Sequence, residues 1–297
     1  MTNINDRRFT IGKNALEQYC RQMELEEKSH STIQKYRHDV VCFMTFLNGR
    51  QLFTKKDVIA YKEWLLSRYA VRSANSMLAA LNHFFQLQEM GQCCVKAFKI
   101  QRATFCDQYS ELSVAEYRRL LLTALRKKNV RLYYVMQTLC STGIRVSELK
   151  YVTIKAIKNG VAVARNKGKT RVILLPVELC KDVQVYAAQC GIRDGSVFVT
   201  GSGRPMDRSN IWNSMKRLCK EANVDPRKVY PHNLRHLFAR TFYQKEKDIT
   251  HLADILGHQN VNTTRGYIIL SGEEHRKQID NLHLYRPREI LEREEEN

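Results

Sequence analysis

The sequence predicts a mainly α fold with one small antiparallel β-sheet, an α+β chain arranged in two bodies. Three observations lead there. Apolar residues recur at helical spacing through residues 11–100 and again over 113–149. The period shortens to that of strands over 160–176, where two apolar runs flank a basic turn. Between Cys93 and Tyr109 the helical pattern lapses, and 297 residues are enough for about two domains. The reading is a helical body over 1–100, a linker over 101–110, a second body over 111–284 and a charged tail over 285–297.

Composition narrows the class of partner. The chain has 49 Lys and Arg against 30 Asp and Glu, a formal charge of +19. It divides as +6 over 1–100, +15 over 101–284 and −2 over 285–297, so both bodies are basic. Nucleic acid is the leading partner, because phosphate contacts release counterions and reward a spread-out basic surface. The alternative at this level is a generally basic soluble protein.

Nine cysteines, an odd number with no C-x-x-C pair, lie scattered in apolar stretches. They argue against a disulfide framework and a zinc site, and read as small buried hydrophobes in a reducing compartment. The stretch Met1 to Arg8 lacks the apolar run of a secretory signal, and nothing approaches the roughly 20 apolar residues of a membrane span. A cytoplasmic protein is expected.

In the first body, Ile33, Tyr36, Val40, Phe43 and Leu47 line one face of a helix over 31–47, with Ser31 and Thr32 as candidate caps. Thr54-Lys-Lys-Asp57 opens a second helix carrying Val58, Tyr61, Leu65 and Leu66. A third, from about Ser73, places Leu78, Leu81 and Phe85 together and ends near Gly91. These predict a bundle with basic residues outside and no catalytic constellation.

The second body opens at Ser113-Val-Ala-Glu116, which has the spacing of a capping box. Helices are expected over 113–125 and 130–141, the latter burying Leu132, Val135, Met136 and Leu139. Thr142-Gly143 breaks the pattern, and Ile144-Arg-Val-Ser-Glu-Leu149 begins another helix. An arginine at such a corner can be held rigidly by buried backbone. Gly160 to Arg165, the turn Asn166-Lys-Gly-Lys-Thr170 and Arg171 to Pro176 predict a hairpin with lysines at its tip. Helix resumes after Val177, and a short apolar run, Ser196 to Val199, precedes the loop 201–205.

Candidate chemistry gathers toward the C-terminus. In Pro231-His-Asn-Leu-Arg-His-Leu-Phe238, His232 and Arg235 are three apart on one helical face, with Leu234, Phe238 and Phe242 available to anchor the other. The next helix, 248–256, buries Ile249, Leu252 and Leu256, and Gly257 is suited to end it, so His258 emerges at a defined corner. Thr263 or Thr264 is expected to cap a short helix carrying Tyr267. Taken singly, each residue has a commoner role: Arg145 in a helix-end ion pair, the histidines as capping groups, Lys167 as a solvated turn residue and Tyr267 in the core.

Together, Thr142-Gly-Ile-Arg-Val-Ser-Glu-Leu149, Lys167-Gly-Lys169, His232-Asn-Leu-Arg-His236, Leu256-Gly-His258 and Tyr267 nine residues on resemble the tyrosine recombinase, or phage integrase, family. The match spans the second body, as the family's catalytic domain, and the helical first body is similar to its core-binding domain. The resemblance implies cleavage of a DNA phosphodiester by the tyrosine hydroxyl, leaving a 3′-phosphotyrosine and a free 5′-hydroxyl, then rejoining by the reverse transfer.

On that resemblance, Tyr267 is the nucleophile. A phenol's ordinary pKa is about 10, so its developing charge and the crowded phosphorane need stabilising. Arg145 and Arg235 would hold non-bridging phosphate oxygens, His232 would donate to the phosphate or exchange a proton with the nucleophile, and His258 would donate to another oxygen. A hairpin lysine would protonate the leaving 5′-oxygen: Lys167 by family position, with Lys169 two residues away. Glu148, one turn past Arg145, would orient neighbouring cations. His236, His251 and Tyr243 read as structural, and Trp212 and Phe238 as core.

Neither metal nor nucleotide cofactor is implied, since the arginines and lysine would do what magnesium does elsewhere and the energy stays in the phosphotyrosine bond. The partners implied are double-stranded DNA core sites and further copies of the chain, a homotetramer joined through a C-terminal helix read over Ser271–Leu284. About ten residues precede the first helix, leaving no room for an additional arm-binding domain and favouring Xer-like resolution, inversion, or a small mobile element's integrase. Two rivals are a type IB topoisomerase, which shares the chemistry but relaxes supercoils alone, and a DNA-binding regulator without catalysis.

Overall fold

The structure is a computed structural model that describes residues 7–100, 111–166, 169–268, 276 and 280–282; of Asn166 and Lys169 it describes the backbone alone. The linker, Lys167, most of the 271–284 segment and the tail therefore lie outside the described residues. The chain divides into two compact units, Met1–Arg102 and Ala103–Asn297.

The first unit holds α1 (Ala15–Leu25), α2 (His30–Phe46), α3 (Lys55–Arg68) and α4 (Val71–Leu87), with two three-residue strands, β1 (Arg8–Thr10) and β2 (Leu52–Thr54), paired antiparallel. The sequence pattern had shown only helices here. The pairing of Phe9 with Phe53 brings both rings into the core beside Phe43 and Phe85. Thr54 both ends β2 and caps α3, where its hydroxyl accepts from the Asp57 amide and the Asp57 carboxylate accepts from the Thr54 amide. Helix α2 starts earlier than Ser31: Ser29 caps it, accepting from the Thr32 amide. Leu66 faces solvent, so the buried face of α3 is Val58, Tyr61 and Leu65.

Residues 94–98, where the helical pattern lapses, are docked rather than free. Asn82 and Asn75, seven residues apart on α4, each exchange two hydrogen bonds with the backbone, Asn82 with Val95 and Asn75 with Phe98, all at 2.8–2.9 Å. Carboxamides replace the ladder partner that this extended backbone would otherwise lack.

The second unit is helical around one hairpin. Helix α5 (Val114–Arg126) carries the expected capping box, Ser113 with Glu116, and α6 (Val130–Thr142) buries Leu132, Val135, Met136 and Leu139. The stretch after Arg145 is a 3-10 turn, Val146–Tyr151, followed by α7 (Ile154–Asn159). Strands β3 (Val161–Asn166) and β4 (Lys169–Leu174) pair antiparallel, from Val161 with Leu174 to Asn166 with Lys169. Ala162, Ala164 and Ile173 face the core, while Val163, Val172 and Leu174 face outward.

Helices α8 (Val177–Gln189), α9 (Arg208–Lys216) and α10 (Cys219–Ala222) lead to α11 (Pro231–Glu246), α12 (Ile249–Leu256) and α13 (Val261–Arg265). Helix α11 packs on α6 and α12. Trp212 on α9 is not core: it is 43% exposed, with the Lys216 ammonium over its ring. Phe238 is half-buried in a small cluster with Leu252, Leu256 and Tyr267. The eight described cysteines are free thiols, and among the described residues no helix is long and apolar enough to cross a membrane.

Candidate active site

The site is built on the end of α12. Gly257, in the left-handed region at φ 64°, turns the chain so that its own amide donates to Asp254 O and the His258 amide donates to Ala253 O, at 3.0 and 2.9 Å. This double closure satisfies two of the four carbonyls that a helix end leaves bare. Two remain, Ile255 O and Leu256 O, and guanidiniums take both. Arg171 Nη2 donates to Ile255 O, Arg235 Nη2 to Leu256 O at 2.8 Å, and Arg145 Nη2 reaches Gly257 O at 3.5 Å. Three arginines from three elements thus meet three consecutive carbonyls, at the helix end whose dipole favours cations.

Arg235 is the most deeply set, 1% exposed although it lies on α11. Its Nη1 donates to Gly143 O at 2.5 Å, so one guanidinium ties the end of α6 to the end of α12. Gly143 must approach closely and adopt φ 62°; a Cβ there would lie 2.4 Å from a Phe238 ring carbon. Burial, then the nearby charge of Arg145, pushes the Arg235 pKa down to about 10, while Tyr267 offsets part of the shift.

Glu148 is the local counter-charge, 3% exposed. Its carboxylate accepts from the Arg145 amide at 2.9 Å, from Arg145 Nη1 at 3.1 Å and from Arg171 Nη1 at 2.6 Å. Burial alone would push its pKa up; the backbone donor and the two arginines outweigh it and hold the carboxyl below its ordinary range. One carboxylate against three guanidiniums leaves the site strongly electropositive.

The histidines surround the tyrosine. Tyr267, just past α13, is 8% exposed, and its Oη lies 3.4 Å from His232 Nε2. The His258 ring stacks on it at 5.3 Å between centroids, and the His236 ring approaches to 4.3 Å. His258 Nδ1 is 2.8 Å from Thr264 Oγ1. Thr264 is therefore a buried partner of His258 rather than a cap; Asn260 caps α13, accepting from the Asn262 amide. All three histidines have depressed pKa values, His236 and His258 down to about 4, first by burial and then by neighbouring charge: Arg235, Arg145 and Arg171 for His258, and His232, Arg240 and Arg235 for His236.

The structure thus brings Arg145, Glu148, His232, Arg235, His258 and Tyr267 to one place. Lys167 lies outside the described residues, and for Lys169 only its backbone place opposite Asn166 is given. Two residues at the site had no role in the sequence reading, Arg171 and His236. His236 follows Arg235 directly, which was the available signal; Arg171 had none beyond closeness to the hairpin turn.

Comparison with known proteins concerns the family and the fold. Residues 15–89 match the phage integrase N-terminal SAM-like domain. Tyrosine recombinase XerA of Pyrococcus furiosus is 25% identical over 287 residues, covering 94% of this chain and 97% of that protein. XerD of Chlamydia trachomatis is 30% identical over 167 residues, about half of each chain (52% and 53%). Among solved structures, a XerA recombinase is similar at TM-score 0.51 and 26% identity, over 92% of this chain and 99% of that one. A lambda integrase tetramer bound to a Holliday junction shares the fold at TM-score 0.71 and 17% identity, over 89% and 78%. Residues 111–274, which contain every described member of the site, match the phage integrase family, and the chain belongs to that family.

Proposed function

We propose that this protein is a site-specific DNA recombinase that cleaves and rejoins strands by transesterification, with Tyr267 as nucleophile and a 3′-phosphotyrosine as intermediate. One observation carries the reading: the Tyr267 hydroxyl lies 3.4 Å from His232 Nε2, beside guanidiniums anchored at one helix end. A phosphate seated there would meet Arg145 and Arg235, with His258 at its edge. Attack by Oη forms the phosphorus–tyrosine bond and breaks the bond to the 5′-oxygen. That oxygen takes its proton from a hairpin lysine, Lys167 or its neighbour Lys169, and His232 accepts the phenolic proton.

Double-stranded DNA is the substrate, and a homotetramer on two paired core sites is the assembly this reading entails. The cell compartment is the cytoplasm, where such DNA lies. The bond energy kept in the phosphotyrosine removes any need for a nucleotide, and the arginines supply the charge that a metal supplies elsewhere.

The test is a nicked duplex carrying a site recovered by binding selection. Wild type should form a protein–DNA adduct that survives denaturation and persists in EDTA, while Tyr267→Phe binds the same DNA and forms none. Absence of adduct with wild type on a bound site, or an adduct retained by Tyr267→Phe, overturns the assignment. Strand exchange between two sites, rather than relaxation of supercoils, identifies recombination.

A further inference from the structure

We propose that Arg171 is a positioning residue for this reaction, a brace on β4 that holds the Arg145–Glu148 pair and the Gly257–His258 corner in one register. The proposal rests on the recombinase reading above.

Arg171 has the geometry of a brace rather than of a surface ion pair. Its side chain is 13% exposed. Nη1 donates to Glu148 Oε2 at 2.6 Å, and Nη2 donates to Ile255 O. The aliphatic stem lies on Gly257 so closely that a Cβ there would come within 2.4 Å of Arg171 Cδ and 2.6 Å of Nε. Gly257 therefore answers two demands, the left-handed turn and the space for this arginine.

The contacts run in a closed circuit: Arg171 to Glu148, Glu148 to the side chain and amide of Arg145, Arg145 to Gly257 O, and Gly257 back to Arg171. His258 follows Gly257 directly in the chain, and outside the circuit its Nε2 lies 2.7 Å from Arg235 Nη2. Among the described residues Arg171 makes no hydrogen bond to a ring of the site, acting on His258 only through its charge, and its Nε is buried without a partner. Leaving that donor bare costs stability. One Arg171 donor holds Glu148 Oε2 and the other holds Ile255 O, so the carboxylate that pairs with Arg145 is tied to the end of α12 and cannot swing with its partner. A misplacement of about 1 Å in such groups can slow chemistry by about 100-fold.

A lysine keeps the charge but has one compact head, which cannot reach both the Glu148 carboxylate and Ile255 O. Single-turnover cleavage of nicked duplex by wild type, Arg171→Gln, Arg171→Lys, Glu148→Gln and the double variant Arg171→Gln/Glu148→Gln tests the proposal. Both Arg171 variants should cleave with a rate constant lower by about 10- to 100-fold, with DNA affinity within about 3-fold of wild type and the reacting fraction unchanged. The double variant should be no slower than the slower single one, because both act along one circuit. If Arg171→Gln does not fold, Arg171→Lys carries the test alone.

A rate constant within about 2-fold of wild type in Arg171→Lys overturns the proposal. So does a loss confined to the reacting fraction, which marks a purely structural residue, or full additivity with Glu148→Gln. Cleavage by wild type in the same experiment keeps this outcome separate from failure of the recombinase reading.

Discussion

Arg235 Nη2 and His258 Nε2 are 2.7 Å apart, and a guanidinium has only donors to offer. The histidine nitrogen must therefore accept, its other nitrogen carries the proton toward Thr264 Oγ1, and the ring is neutral. In this arrangement His258 holds a donor of Arg235 that a phosphate oxygen would compete for. On the proposed reaction, a scissile phosphate would free both groups together, and His258 would donate to it through Nε2 only after that nitrogen takes up a proton. The low pKa of His258, about 4, agrees with the neutral resting form.

The histidine cluster makes stability fall with acid. His236 and His258 have folded values of about 4 against 6.5 for the free side chain. The unfolded chain binds protons more readily, so stability is fully present above about pH 6.5 and is lost progressively as pH falls through the window down to about 4. Thermal midpoints measured between pH 7 and 4.5 should decline, by about 2–4 °C for each kcal/mol lost. His258→Gln and His236→Phe should each flatten the decline, and a slope unchanged in both variants would show that other groups carry it.

Arg235→Lys should separate architecture from charge. The lysine keeps a cation but cannot span Gly143 O and Leu256 O, which Arg235 reaches together. Leaving a buried carbonyl unpaired costs about 1–3 kcal/mol. Cleavage should fall by at least about 100-fold, the scale for removing one oriented donor from a transition state. Binding to duplex should persist, and a gel-shift titration beside the cleavage assay checks it; loss of binding by a folded variant would make Arg235 an anchor for ground-state DNA instead.

Gly143→Ala should be destabilising for two reasons that can be pulled apart. An L-residue at φ 62° costs on the order of 1–2 kcal/mol, and the added methyl meets Phe238. Chemical denaturation of Gly143→Ala, Phe238→Ala and the double variant should show the double change costing less than the sum of the single ones. Strict additivity would mean that backbone strain alone accounts for the loss.

Much of the local structure was legible in the sequence because its causes are local. The helix start at Thr54 to Asp57, the capping box of Ser113 with Glu116, the hairpin around the basic turn and the end of α12 at Gly257 all depend on residues a few positions apart. The nearness of His232, Arg235, His258 and Tyr267 had no such local cause, since His232 and Tyr267 are 35 positions apart; it was expected only through the resemblance to a family. The β1–β2 pair was illegible, since three-residue strands some forty positions apart carry no turn signal. Trp212 is an aromatic residue on an amphipathic helix and reads as core, yet its face of α9 is turned to solvent.

The sequence by itself determined most of the helices and the ends marked by a capping box or a glycine, because periodicity and capping act within a turn or two of the chain. Only the tertiary structure decided that Arg235 is buried, that Thr264 serves His258 and that Arg171 shares Glu148 with Arg145. The bare carbonyls of a helix end accept whichever donors the fold delivers to them, and here it delivers two guanidiniums to them and a third to Gly257 O, from elements that are strangers in sequence.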